Sequence, residues 1–203
     1  MKEYSQKRKQ RKGVALIIVI VVLAFLLSVG LMLITVTSTG KKISGNVRAQ
    51  GEAFNAAEAG FDTGWIAVEE SFANNEWTSF EGHYLTQPTG IDLPYHENYF
   101  RKKTDIQILN MLDPDGDGTP DYQNVIFYKQ PYIQDENGNL DPRYTYTAFL
   151  IDDEAGVLES GGSSDPSDAL MVCIGTAGTG DDMNTGRLEI GLAVELQGVS
   201  QSD

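Results

Sequence analysis

The sequence predicts an α+β protein in which one dominant N-terminal helix, transmembrane and then amphipathic, packs on an antiparallel β-sheet. Three observations carry that expectation. No residue from Gly13 to Gly40 is charged. Beyond Lys41 and Lys42, apolar or small residues recur at helical spacing as far as Phe72. After that the period is lost, and short runs rich in β-branched and aromatic residues alternate with turn signals.

The first element is basic. Residues 1–12 hold Lys2, Lys7, Arg8, Lys9, Arg11 and Lys12 against Glu3 alone, a net of +5 within a chain whose formal charge is −14. Everything downstream therefore sums to −19. A basic tip on an acidic body is the pattern of a tip held on the cytoplasmic side while the body is exported. The same acidic body would repel phosphates, which argues against nucleic acid as a partner.

The second element, residues 14–40, is almost wholly aliphatic from Val14 to Ile34. About 20 apolar residues cross a bilayer core as a helix, so the run is long enough to span. The apolar core of a removed secretory signal is only about 7–15 residues and ends at a small-residue cleavage site. Here small polar residues gather only after the long run, which disfavours a secretory signal.

The third element, residues 41–72, continues the helix with one apolar face. Ile43, Val47, Phe54, Ala57, Phe61, Trp65, Val68 and Phe72 are spaced by 4, 7, 3, 4, 4, 3 and 4. Arg48, Glu52, Asn55, Glu58 and Asp62 fall off that face. The expectation is one continuous helix over 14–72. Gly30, Gly40, Gly45, Gly51, Gly60 and Gly64 each weaken it by about 1 kcal/mol relative to alanine.

The rest, residues 73–203, is expected to form a globular α+β head. Residues 73–104 are polar and turn-rich, and strands are expected at Asn124–Tyr128, Tyr144–Asp152, Leu170–Gly175 and Arg187–Leu196. In RLEIGLAVEL the apolar residues alternate, so one face of that strand is apolar. Turn signals separate the runs at 135–142, 152–156, 160–168 and 175–186.

The run KGVALIIVIVVLAFLLSVGLMLITVTSTG, followed by RAQGEAFNAAEAGFDTGW, resembles the N-terminal region of PilX-type minor pilins of type IV pili. It is also similar to the GspK-type tip pseudopilins of type II secretion. The basic leader ending in Gly13, the apolar helix and AAEAG at Ala56–Gly60 carry the likeness, over residues 7–65. TYTAFLIDDEAGVLE resembles a GspK segment, and VCIGTAGTG with GRLEIGLAVEL resembles the closing hairpin of PilX-type proteins.

The resemblance implies a pilin-like fold and a non-catalytic, structural or priming subunit. It implies a leader, residues 1–13, cut by prepilin peptidase after Gly13, with Val14 as an N-methylated new terminus. It implies a single-pass inner-membrane protein whose head lies outside the cytoplasm, and which then joins a pilus or pseudopilus near its tip. Partners would be other minor and major pilins or pseudopilins and the inner-membrane assembly platform. Major pilins carry glutamate at the fifth mature position, where this chain has Ile18. An unpaired carboxylate in lipid is costly, so Ile18 suits a subunit with no neighbour above it. An uncut single-span anchor bearing a periplasmic calcium-binding module is the alternative of another class.

The sharpest local motif is DPDGDGTPD. Asp113, Asp115, Asp117 and Asp121 stand at positions 1, 3, 5 and 9 around turn-making Gly118, with the Thr119 carbonyl at position 7. Oxygen ligands at those positions describe a calcium loop. The twelfth position is Asn124, not the glutamate of an EF-hand, and the loop looks more like those of thrombospondin type 3 repeats. Two readings stand: a calcium site, or a solvated acidic turn. DENGN at Asp135–Asn139 with Asp141 is better read as a hairpin turn around Asn137-Gly138, and Asp152, Asp153 and Glu154 as a solvated turn.

Cys173, the single cysteine, permits no intrachain disulfide and reads as a small buried apolar residue rather than a reactive thiol. His83 and His96 lack zinc-ligand spacing. GTAGTG has no following Lys-Ser/Thr, and no G-x-S-x-G motif occurs, so neither a phosphate cradle nor an enzyme is indicated.

Overall fold

The computed structural model describes residues 3–152 and 167–194. Asp153, Glu154, most of the 160–168 turn and the expected strand end at Leu196 lie outside them. A single α-helix, α1, runs Glu3–Ala73. The chain divides into two compact units, Met1–Val47 and Arg48–Asp203.

In the first unit the chain is helical, and its large apolar side chains from Val14 to Val36 are exposed. It is long and apolar enough to cross a bilayer. Thr35, Thr37 and Thr39 each donate their hydroxyl to the carbonyl four residues back, at 3.0, 2.8 and 2.9 Å. Their polar atoms are therefore satisfied within the helix, as an apolar surrounding requires.

In the second unit four antiparallel strands follow in sequence order: β1 (Val125–Pro131), β2 (Tyr144–Ile151), β3 (Asp168–Ala177) and β4 (Asn184–Ala193). These are the four runs expected from sequence, with β3 and β4 starting earlier. The β2–β3 and β3–β4 registers are unbroken, whereas β1 shifts register against β2 between Phe127 and Gln130.

Both faces of the sheet are covered. Tyr84, Ala148, Leu150, Ala169, Met171, Cys173 and Leu192 pack with Ala57 and Val68 of α1. On the other side Phe149, Ile151, Leu170, Val172 and Ile174 pack with Leu85, Ile91, Phe100, Ile108, Leu109 and Leu112. The alternation along β2 and β3 sends odd and even residues to different cores. The second layer includes a helix not anticipated from sequence, α2 (Asp105–Leu112). Its signal was present: Thr104 Oγ1 accepts from the Gln107 N–H at 3.3 Å, and Gln107 Oε1 accepts from the Thr104 N–H at 2.9 Å. That is a capping box.

β4 completes the second layer with charge. Arg187 donates from Nε to Asp105 Oδ1 at 2.6 Å, and from its two Nη atoms to the carbonyls of Phe100 (3.2 Å) and Lys103 (3.0 Å). Beside it Glu189 accepts from Arg101 at 2.8 Å. The polar positions of β4 thus fasten the segment preceding α2, while Leu188 and Ile190 face the α1 side.

The face that α1 presents keeps the expected Ala57, Phe61, Trp65, Val68 and Phe72 but departs from the expectation at Phe54. Ala53, Ala56, Ala57, Gly60, Gly64 and Val68 are buried, whereas Phe54 is exposed and Phe61, Trp65 and Phe72 lie half-buried at the flanks. The reason is proximity. A Cβ on Gly175 of β3 would run into the Ala53 carbonyl and the Ala57 N–H, and one on Gly186 of β4 would stand 2.8 Å from the Phe54 nitrogen. Gly175 and Gly186 are direct cross-strand partners. The helix backbone therefore lies directly on a glycine pair, a contact only small residues permit on both sides.

Candidate functional site

The acidic loop opens where α2 ends. Asp113 is the C-cap residue of α2, and the loop's chain reversal uses Gly118 at φ +90°, a left-handed conformation that glycine adopts without a Cβ clash. Asp117 and Thr119 tighten the turn: the Asp117 N–H donates to Asp115 Oδ1 at 3.2 Å, and the Thr119 N–H and hydroxyl donate to Asp117 Oδ1 at 2.8 and 2.6 Å.

Of the residues expected to ligate a metal, the structure brings three together. Asp113, Asp115 and Asp117 each offer a carboxylate oxygen, and the three atoms lie within 4.8 Å of one another. Asp121 is not part of that trio; its N–H returns to the Leu112 carbonyl at 2.9 Å. Desolvation, then repulsion from Asp115, Asp117 and Asp113, pushes the Asp121 carboxyl above its usual range. Asn124 at the twelfth position is turned to another use, donating to the carbonyls of Gly82 (3.0 Å) and Tyr84 (2.9 Å).

Asp113 is the buried member. Its Oδ2 accepts from the Tyr128 hydroxyl at 2.9 Å, Lys129 Nζ at 3.0 Å and the Gly118 N–H at 3.2 Å. Its Oδ1 is buried without a hydrogen-bond partner. Desolvation alone would raise the Asp113 carboxyl. Hydrogen bonds from Lys129 and Tyr128, the Lys129 charge and the Gly118 N–H outweigh it and hold the group at about 2. The Tyr128 hydroxyl is pushed up, first by burial and then by its bond to Asp113.

Lys129 was missed from sequence. It sits in β1 at φ +45°, inside the register shift against β2, and its N–H donates to the Thr147 hydroxyl at 3.0 Å. Such a bulge re-aims a side chain that regular alternation would place elsewhere. Only the neighbouring Gly-free run FYKQ announces Lys129, and nothing in it signals the bulge.

The other motifs have structural uses. Asp135 Oδ1 accepts from the N–H groups of Asn137 (2.8 Å) and Asn139 (2.9 Å), closing the expected turn at Gly138. Asp141 is occupied by Arg143, whose Nη2 stands 2.6 Å from Oδ2. Cys173 is fully buried in β3, and burial pushes its thiol up to about 12. His83 stacks on Trp77 with ring centres 3.9 Å apart, and His96 Nδ1 accepts from the Asn98 N–H at 3.1 Å. Gly175, from GTAGTG, serves the contact with α1.

The architecture defines an α+β protein with one apolar, membrane-length helix whose C-terminal part docks on an antiparallel sheet. Within that class, residues 12–62 match the family model described as PilX N-terminal. The match bears out the PilX-type resemblance carried by the basic leader, the apolar helix and AAEAG; it does not show a relation to GspK-type pseudopilins. No curated protein and no solved structure matches the chain significantly.

Proposed function

We propose that the chain is a minor pilin of a type IV pilus, PilX-like and structural rather than catalytic. The observation that carries this reading is the PilX N-terminal match over residues 12–62. It takes in the apolar helix and the small residues from Ala53 to Gly60 by which that helix packs on the sheet. In this reading prepilin peptidase cuts after Gly13 and Val14 becomes the methylated terminus. The helix waits in the inner membrane with the head outside the cytoplasm. It then passes into a filament near the tip, where other pilin helices replace lipid around its exposed apolar side chains.

Mass spectrometry of the mature protein tests the reading. A mass beginning at methylated Val14 is expected in cells with active prepilin peptidase. An intact Met1 terminus there would sink it in favour of an uncut membrane anchor. A GspK-like place in type II secretion would leave the same terminus, and co-purification with pseudopilins instead of type IV pilins would reveal it.

Calcium is the second part of the proposal, with Asp113, Asp115 and Asp117 as carboxylate ligands and Asp121 and the Thr119 carbonyl as further oxygens. The clustered trio and the partnerless Asp113 Oδ1 support it, because a buried carboxylate oxygen without a donor is costly. The ion would offset much of the loop's negative charge and stiffen the head between α2 and β1.

A further inference from the structure

The loop already holds one cation of its own. Lys129 Nζ lies 3.0 Å from Asp113 Oδ2, and among the described residues no other ion pair reaches Asp113, Asp115, Asp117 or Asp121. Lys129 is delivered there by the bulge in β1, across the sheet edge from the loop. Its bond engages one oxygen of Asp113 and leaves the other, Oδ1, buried and unpartnered.

We infer that Lys129 is a resident counter-ion that shares Asp113 with the bound calcium, ammonium on Oδ2 and metal on Oδ1, and thereby sets the affinity of the loop. This inference rests on the calcium reading above. Two physical consequences follow from one positive charge at this place. Without metal, Lys129 compensates a buried carboxylate at the C-terminal end of α2, where the helix carbonyls already make the potential negative. With metal, the same charge repels the incoming ion and weakens binding. A loop of four aspartates would otherwise bind more tightly, and would be less stable when empty. Lys129 thus trades affinity for an apo state that stays folded, which suits a site filled only where calcium is abundant.

The experiment is calcium titration by calorimetry on the full-length chain in detergent micelles, with melting in chelator as the second readout, for wild type, Lys129→Met and Lys129→Arg. Lys129→Met is expected to bind calcium on the order of tenfold more tightly than wild type and to melt lower in chelator. Lys129→Arg, which keeps the charge, is expected to track wild type in affinity. Binding by Lys129→Met alone, with wild type silent, would overturn the calcium reading of the native loop and with it the sharing of Asp113. Equal or weaker binding by Lys129→Met overturns the role of Lys129 while leaving the calcium loop standing. No binding by any of the three overturns both.

Discussion

Gly175 of β3 lies against the backbone of Ala53 in α1 so closely that a side chain at 175 would overlap the Ala53 carbonyl oxygen. Helix and sheet meet there main chain to main chain, without interleaved side chains. Gly175→Ala is expected to destabilise the head by about 3 kcal/mol, because the clash is with backbone that no rotamer change relieves. Gly51→Ala is the control: nothing lies within 4 Å of its added Cβ. It is expected to stabilise by up to about 1 kcal/mol through helix propensity. Urea unfolding of both variants checks the contrast, and equal effects would refute the close contact.

Asp115→Ala separates the metal role of the loop from its fold. Asp115 is exposed, and its hydrogen bond in the loop is the one from the Asp117 N–H. In chelator the variant should melt within a few degrees of wild type. Calcium should raise the melting temperature of wild type and leave the variant unmoved. No calcium shift in wild type would mean that the loop is a solvated turn.

Arg187→Met should cost about 2–4 kcal/mol. The change strands the Asp105 carboxylate and two backbone carbonyls in a mostly buried position. Thermal melting gives the size, and hydrogen exchange should show the loss first in α2 and the segment before it.

The Asp141–Arg143 pair gives a pH signature. The Arg143 side chain, and then its N–H, hold the Asp141 carboxyl below its ordinary value of 3.8. A lowered folded-state pKa means stability that is fully present above about 4 and lost as pH falls through the lower folded value. Melting temperatures of wild type and Arg143→Gln should therefore differ most near neutrality and converge as the pH drops below 4. A gap independent of pH would remove the pair from that role.

Cys173 is expected to resist alkylation at pH 8 in the folded protein and to react at the rate at which the head opens. The thiol is wholly buried and its ionisation is pushed far up by burial. Fast labelling of the native chain would contradict the packing of β3 between the two cores.

The sequence made the helix and the four strands legible because each has a strong period or a clear β-branched run. It made three of the four loop carboxylates legible as a group because their spacing around Gly118 fixes their direction. The docking face of α1 is legible in Ala57, Phe61, Trp65, Val68 and Phe72, which all pack on the sheet, whereas Phe54 of the same pattern is exposed. Ala53 and Gly60 join the contact because β3 and β4 bring glycine against Ala53 and β2 brings Tyr146 against Gly60, neighbours that the helix sequence does not announce. Lys129 escaped for a related reason. Its placement depends on a break in strand register, which is a property of two strands together and not of the residues around 129.

The order of the sheet has a kinetic consequence. Each strand pairs with the strand adjacent to it in sequence, so the sheet grows by successive neighbouring hairpins and little chain entropy is spent on distant closure. The contact between Ala53 and Gly175 is of the opposite kind, since it joins the start of the head to its penultimate strand. Seating the helix is thus the long-range step, and it falls to residues just beyond the apolar run. A head that formed its sheet but failed this step would keep its secondary structure while leaving the apolar side of β2 and β3 bare, an aggregation-prone species.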